Sequence, residues 1–234
     1  MEIGPGRGAL TFPLSDQVQK LLAIEIDTAL VEELRLSANE AFETIQADVL
    51  EIDLATIATD LNKYNGQLRV VGNLPYNISA PIILRLLQRG HSHNILDATV
   101  MVQKEVGERI IALPGSKEYG PLAVMSSLHS NAKKLLNLPP GAFRPTPKVH
   151  SMLIQFRFQS PERMPSSLPG FESFVRQLFT QRRKQLRNAL ASVTLARRFD
   201  VRECCNRSQI DPSCRPAELE LMKLIDLYET AAGN

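Results

Sequence analysis

No apolar run in this sequence approaches the 18 or more residues of a membrane-spanning helix, and no signal-peptide pattern precedes the first motif. Both absences argue against a membrane role and make the cytoplasm the expected location. Cysteine is scarce. Cys204, Cys205 and Cys214 form an odd set without Cys-x-x-Cys spacing, which argues against a disulfide framework and a zinc site. The thiols read as buried or incidental, and no metal is expected. Net charge is small, at +2, but unevenly spread. Residues 1–160 carry 15 Lys and Arg against 16 Asp and Glu, whereas 161–234 carry 12 against 9. Nine of those basic residues lie within 176–207, beside only two acidic ones. A basic block on a near-neutral body suggests a polyanionic partner. A solvated helix face is the plain alternative.

What is present is alternation. Short β-type runs at 21–27, 42–48, 68–74 and 98–104 are separated by stretches of helical spacing, "ALVEELRLSAN", "IATDLNKYNG" and "APIILRLLQRG". This order predicts a mostly parallel sheet with helices on both faces. Two further runs, 132–138 and 151–158, are joined by "PPGAFRPTPKVH" without room for a crossover helix, so that pair should be antiparallel. "QSPERMPSSLPG" (159–170) reads as a linker, and the remainder of the chain is helical in pattern. Two domains are expected, 1–160 and 161–234.

The chain opens with "EIGPGRG". Gly4, Gly6 and Gly8 allow close backbone approach to a ligand at a strand-to-helix turn. Glu25 ends the next strand, where a carboxylate can accept hydrogen bonds from both hydroxyls of a ribose. Asp48 ends the third. These features alone fit an adenosine-containing cofactor, either NAD or S-adenosylmethionine.

The fourth strand runs into "GNLPYNIS" (72–79), which presents an amide, a kinked backbone and an aromatic ring together. Methylation of an exocyclic base amine needs such a set. The lone pair of adenine N6 is delocalised into the ring. Acceptors on its two N–H bonds can draw it toward tetrahedral geometry and support the charge that develops. The Asn73 side-chain oxygen and the Leu74 carbonyl can supply them, Pro75 fixes the turn, and Tyr76 can stack on an unpaired base.

The ordered motifs "EIGPGRGALT" (2–11), "IEID" (24–27), "ADVL" (47–50), "GNLPYNIS", "QKEVGERI" (103–110), "YGPLAVM" (119–125), "AFRPTPKVHS" (142–151) and "FTQRRKQLRNAL" (179–190) resemble the ribosomal RNA adenine dimethyltransferases. The last three favour the small-subunit branch over the erythromycin-resistance branch. The resemblance implies a Rossmann-like α/β methyltransferase fold with a small all-α RNA-binding domain. It implies S-adenosylmethionine as cofactor and N6,N6-dimethylation of adjacent adenines in a small-subunit rRNA hairpin loop. The partner would be a pre-30S particle and the enzyme a monomer. Glu2, Gly4 and Gly6 would line the methionine part of the cofactor and Glu25 would hold its ribose. Asp48 would meet the adenine amino group, with Ile26 and Val49 along the ring. Asn73 would lie between cofactor and target, and Phe143 would be a second aromatic wall opposite Tyr76.

The stretch 171–193 is amphipathic and predicts one continuous helix. Arg176, Arg183 and Arg187 would align as an exposed stripe with Lys184 further round, and Lys148 lies beside the catalytic motifs. These residues suit phosphate contacts that position RNA without specifying bases. Arg182 projects from the apolar face and should be paired, at a domain interface.

Family members carry a few dozen residues ahead of the glycine turn, including a QNFL-like motif that closes over the cofactor. In this sequence the turn begins at the fourth residue. The expectation is therefore weak S-adenosylmethionine binding or none, which micromolar affinity by calorimetry would refute. That expectation keeps a second reading open, a non-catalytic rRNA-binding assembly factor. An NAD-dependent oxidoreductase is disfavoured by the "NLPY" turn.

Overall fold

A computed structural model describes residues 1–37, 41–54, 56–57, 59, 67–90, 95–144 and 146–233. The sequence-predicted helix at 57–66 lies largely outside them. Seven strands, β1 (Glu2–Ile3), β2 (Leu21–Glu25), β3 (Phe42–Gln46), β4 (Leu68–Asn73), β5 (Ile95–Gln103), β6 (Ser130–Leu138) and β7 (Ser151–Phe158), form one sheet in the order β3-β2-β1-β4-β5-β7-β6. The first five run parallel, and β7 is antiparallel to both β5 and β6. The mixed sheet, parallel with an antiparallel edge pair, is the arrangement expected from the sequence. β2 is buried along its whole length, as a central strand covered on both faces must be.

The helices are α1 (Thr11–Ser15), α2 (Thr28–Arg35), α3 (Ser79–Gly90), α4 (Lys104–Ile110), α5 (Pro121–His129), α6 (Leu168–Thr180), α7 (Leu186–Leu190), α8 (Val201–Arg207) and α9 (Leu221–Ala232). Local chemistry starts them where it should. Asp27 accepts from the N–H groups of Ala29 and Leu30 at the head of α2, and Asp200 accepts from Glu203 N–H at α8. Ser167 caps α6, whose first turn contains Pro169, so the linker ends three residues earlier than the sequence suggested.

The register between β4, β5 and β7 is pinned by a polar contact. Arg69 donates to both Asp97 oxygens at 2.9 and 2.7 Å, and Gln155 Nε2 donates to one of them at 3.2 Å. Asp97 is buried, whereas 61 % of the Arg69 side chain is exposed. The two ends are therefore not equivalent. Arg69→Ala leaves a buried carboxylate with only Gln155 among the described residues and should cost about 2–3 kcal/mol of stability, whereas Asp97→Asn, which frees a guanidinium already in water, should cost less. Urea midpoints of the two variants check this order.

At the free edge, β6 carries Lys133, Lys134 and a bulge at Leu135. Lysines and a bulge on an edge strand oppose pairing with another chain.

The chain divides into two compact units, Met1–Gly107 with His129–Ser160, and Glu108–Leu128 with Pro161–Asn234. Glu108–Leu128 belongs with the helical unit rather than with the sheet. Its polar groups explain why. Gly115 N–H donates to Ala217 O at 2.7 Å, Tyr119 OH to Leu219 O at 3.0 Å, and Arg182 to Lys117 O. The Tyr119 and Phe179 rings also meet edge to face at 5.7 Å. Arg182 is thus paired as expected, but inside the helical unit. Within that unit Cys204 and Cys205 are buried. Burial pushes the Cys204 thiol up to about 12 and Cys214 to about 11, so neither offers a thiolate near neutral pH.

Candidate active site

Parallel strands in the order β2-β1-β4 place their carboxyl ends side by side, where open α/β sheets hold ligands. Gly4, just past β1, adopts φ +67° and donates its N–H to Ile24 O at 3.0 Å. A Cβ built there would lie 3.7 Å from Asn73 O and 3.8 Å from Pro75 Cδ. The glycine turn therefore sits against the "NLPY" turn. Gly6, at φ +58°, faces open space. Left-handed φ at both positions explains why glycine is needed here.

Glu25 closes the second strand end. Its Oε1 accepts from Ile26 N–H at 2.9 Å and Asp27 N–H at 3.1 Å, and its Oε2 accepts from Gly6 N–H at 3.2 Å. The carboxylate thus organises the glycine turn. With one bond on Oε2, a lone pair remains there for a hydroxyl. Ile26 beside it is 65 % exposed, an unusual place for so large an apolar side chain. Asp48 spends one oxygen on Leu50 N–H at 2.8 Å. Val49, by contrast, is buried.

Glu2 is the most unusual carboxylate. It is buried, and its Oε2 has no hydrogen-bond partner among the described residues. Burial raises its pKa above the ordinary carboxylate value. In such a group the neutral form is favoured by folding. Stability is full below the unfolded pKa near 4.3 and is lost as pH rises through the higher folded value. Glu2→Gln should therefore be more stable than the parent at neutral pH and indistinguishable from it at pH 4, which denaturant midpoints at both pH values test. An orphaned buried acceptor next to a glycine turn fits a ligand that brings a cationic donor, such as an amino-acid ammonium.

At the fourth strand end, Leu74 N–H donates to Met101 O at 3.1 Å and Ile78 N–H to Pro75 O at 3.2 Å, which fixes the turn. Asn73 is exposed, and its side chain has no partner among the described residues. Tyr76 is half-buried, and its hydroxyl lies 2.8 Å from Ser151 Oγ. Phe143 is half-buried behind a single 3₁₀ turn (Pro140–Ala142), and no ring contact joins it to Tyr76 among the described residues. Lys148 and Arg144 are exposed in the same loop. The contact of Ser151 with Tyr76 is not legible in the sequence, although Ser151 is the last residue of the motif "AFRPTPKVHS".

An apolar cleft of about 490 Å³ lies elsewhere, at the amino ends of β2 and β4, lined by Leu14, Val18, Leu21 and Leu68. It holds none of the chemistry just described.

In the helical unit the predicted single helix over 171–193 is broken. α6 ends at Thr180, residues 181–185 form a turn, and α7 starts at Leu186. The N–H groups of Leu186 and Arg187, which a continuous helix would bond to the preceding turn, donate instead to Cys214 O at 2.7 Å and Pro212 O at 3.1 Å. Arg176, Arg183, Lys184 and Arg187 are exposed as expected, but not as one helical stripe. The break gathers Arg182, Arg183, Lys184 and Arg215 around a concavity of about 580 Å³. Nothing in the sequence signalled Arg215, because backbone bonds between distant segments bring it there.

The sequence model of the family "Ribosomal RNA adenine dimethylase" matches residues 1–229. The chain is 38% identical over 241 residues to the ribosomal RNA small subunit methyltransferase A of Koribacter versatilis, covering 97% of this chain and 82% of that protein. It is 39% identical over 235 residues to the protein of the same description from Pseudomonas aeruginosa, covering 99% and 83%. A dimethyladenosine transferase from Plasmodium falciparum superposes with a TM-score of 0.76 at 21% identity, over 97% of this chain and 86% of that one, which shows the shared fold. Glycine turn, acidic strand ends and "NLPY" turn stand together on a Rossmann-like sheet with a helical subdomain, and the chain belongs to the ribosomal RNA adenine dimethylase family, enzymes that use S-adenosylmethionine.

Proposed function

We propose that this chain dimethylates N6 of adjacent adenines in a hairpin loop of small-subunit rRNA during ribosome assembly, acting as a cytoplasmic monomer on the pre-30S particle. The observation that carries it is the approach of Gly4 to Asn73 O and Pro75, which sets the cofactor turn against the base-acceptor turn. The small-subunit assignment rests on the descriptions of the bacterial relatives. Among the described residues no helix is long and apolar enough to cross a membrane.

The residues present fit S-adenosylmethionine. Glu2 would take its ammonium, Gly4 and Gly6 would line its methionine part, and Glu25 would hold the ribose. Asp48 would accept from the adenine amino group, with Ile26 along the ring. When bound, the cofactor supplies an electrophilic methyl group. The Asn73 side-chain oxygen and the Leu74 carbonyl accept hydrogen bonds from N6 and support positive charge on nitrogen as the bond forms. No general base is needed, because the nitrogen becomes strongly acidic only after alkylation and then releases its proton to solvent. Tyr76 and Phe143 stack on the flipped base, at about 1–3 kcal/mol per base. Arg176, Arg183, Lys184, Arg187 and Lys148 hold phosphates.

Incubation with S-adenosylmethionine and small subunits lacking the modification, followed by nucleoside mass spectrometry, should yield N6,N6-dimethyladenosine. Methylation confined to large-subunit RNA, or stopping at one methyl, would contradict the proposal. Glu2→Gln should weaken cofactor binding in calorimetry while stabilising the protein. If three or four phosphates are engaged, log K for rRNA against log salt should fall with a slope of about −2 to −4. A flat dependence would remove the electrostatic basis.

A further inference from the structure

We infer that Ser151 is a positioning residue for the methylation, acting through the hydroxyl of Tyr76. The inference rests on the proposed stacking role of Tyr76, and the observation behind it is the 2.8 Å separation of Tyr76 Oη and Ser151 Oγ.

Ser151 is fully buried and opens β7, which is paired on both sides. It stands opposite Gln103 of β5 and Leu138 of β6. Just before it, His150 O accepts from Lys104 N–H at 2.9 Å, closing the corner between β5 and β7. Its backbone is therefore among the least free in the sheet. The register also sets its side. Asn73 lies opposite Met101, and Ser151 lies opposite Gln103, two residues further along β5. With the period of two along a strand, Asn73 and Ser151 belong to the same face of the sheet.

Tyr76, by contrast, stands on a turn outside any strand. Its backbone is tied by Ser79 Oγ, which donates to Tyr76 O at 3.3 Å, and the adjoining turn is closed by the Pro75–Ile78 bond. Those contacts leave the ring free to rotate about its side-chain torsions. The Ser151 hydroxyl holds the far end of the ring. With both ends held, the axis of the ring is set before the base arrives, and the position of the ring relative to Asn73 is set with it. A stacking wall fixed in this way places N6 near its acceptors, whereas a free ring stacks with N6 displaced. Phosphate contacts, which dominate RNA affinity, are untouched.

The expected signature is a loss in kcat without a change in KM. Ser151→Ala and Tyr76→Phe, which keeps the ring and removes the hydroxyl, should each lower kcat by about threefold to tenfold, the range of one neutral hydrogen bond. KM for rRNA and the calorimetric affinity for S-adenosylmethionine should stay within about twofold. The double variant should be no slower than the worse single one, because both remove the same bond. RNA carrying 2-aminopurine at the target position should show less fluorescence quenching with either single variant. Ser151→Ala at full kcat, multiplying effects in the double variant, or a change confined to KM would each overturn the inference. Tyr76→Phe is independent of the buried strand, so its full activity would overturn the inference even if Ser151→Ala failed to fold. Tyr76→Ala separates this inference from its basis. If Tyr76→Ala is inactive and Tyr76→Phe unimpaired, only the role of Ser151 fails; if Tyr76→Ala is fully active, the stacking reading fails.

Discussion

Asn73→Ala should lower kcat for adenine methylation by about a hundredfold to a thousandfold while leaving the fold intact. The size follows from what the side chain does in the reaction. In the proposed reaction its oxygen accepts a hydrogen bond from a nitrogen that gains positive charge only as the new bond forms, so the interaction is stronger in the transition state than in the bound substrate. Removing one such preorganised group typically costs that much. The fold should not suffer, because Asn73 is exposed and its side chain bonds to nothing among the described residues; surface changes of that kind stay within about 0.5 kcal/mol. Asn73→Asp keeps an acceptor and should retain more rate than the alanine variant. KM for rRNA should be little changed in both. Single-turnover methylation with excess enzyme gives the chemical step directly. Unchanged kcat in Asn73→Ala would remove this role from Asn73, whereas an assembly role fully kept by the methylation-dead variant would favour the other reading of this chain, an rRNA-binding factor that needs no methyl transfer.

The second large effect concerns RNA affinity and should be its mirror image. Replacing Arg183, Lys184 and Arg215 together by alanine should weaken rRNA binding about tenfold to a hundredfold near physiological salt. It should also flatten the salt slope by about one for each phosphate that is no longer engaged. These three line one concavity at the 181–185 turn, with Arg182 held back on Lys117 O. At saturating rRNA, kcat should be preserved, since none of the three lies in the catalytic unit. Filter binding at several salt concentrations, run beside kcat and KM, separates the two classes of variant. A slope unaltered by the triple replacement would mean that the concavity takes no phosphate.

These two experiments address features of different origin. Asn73 could be named from its place at the end of a fourth apolar run, because strand period and turn residues are local properties of the chain. The same holds for the glycine turn, Glu25 and Asp48. Arg215 could not, and neither could the helix break. In isolation 171–193 has the spacing of one helix, but Leu186 and Arg187 find better-placed carbonyls on Cys214 and Pro212. Tertiary hydrogen bonds override local propensity wherever they satisfy the same donors at less strain.

Glu25 shows a finer division. Sequence spacing put a carboxylate at the end of the second strand, yet only the fold reveals that Gly6, Ile26 and Asp27 already donate to it. The carboxylate builds the glycine loop, besides the ribose contact proposed for it. Likewise, "YGPLAVM" pointed to the family from sequence, whereas the structure assigned its segment, Glu108–Leu128, to the helical unit through hydrogen bonds at Gly115 and Tyr119.

By itself, then, the sequence determined the order of strands and helices, the residues at each strand end and the chemistry they can perform, because period, caps and turns act within a few residues. Only the tertiary structure decided which donors and acceptors pair across the chain: where the basic helix breaks, which unit owns 108–128, and that Tyr76 meets Ser151. Tyr76 and Ser151 lie 75 residues apart and Tyr119 and Leu219 lie 100 apart, and no local rule links residues at that separation.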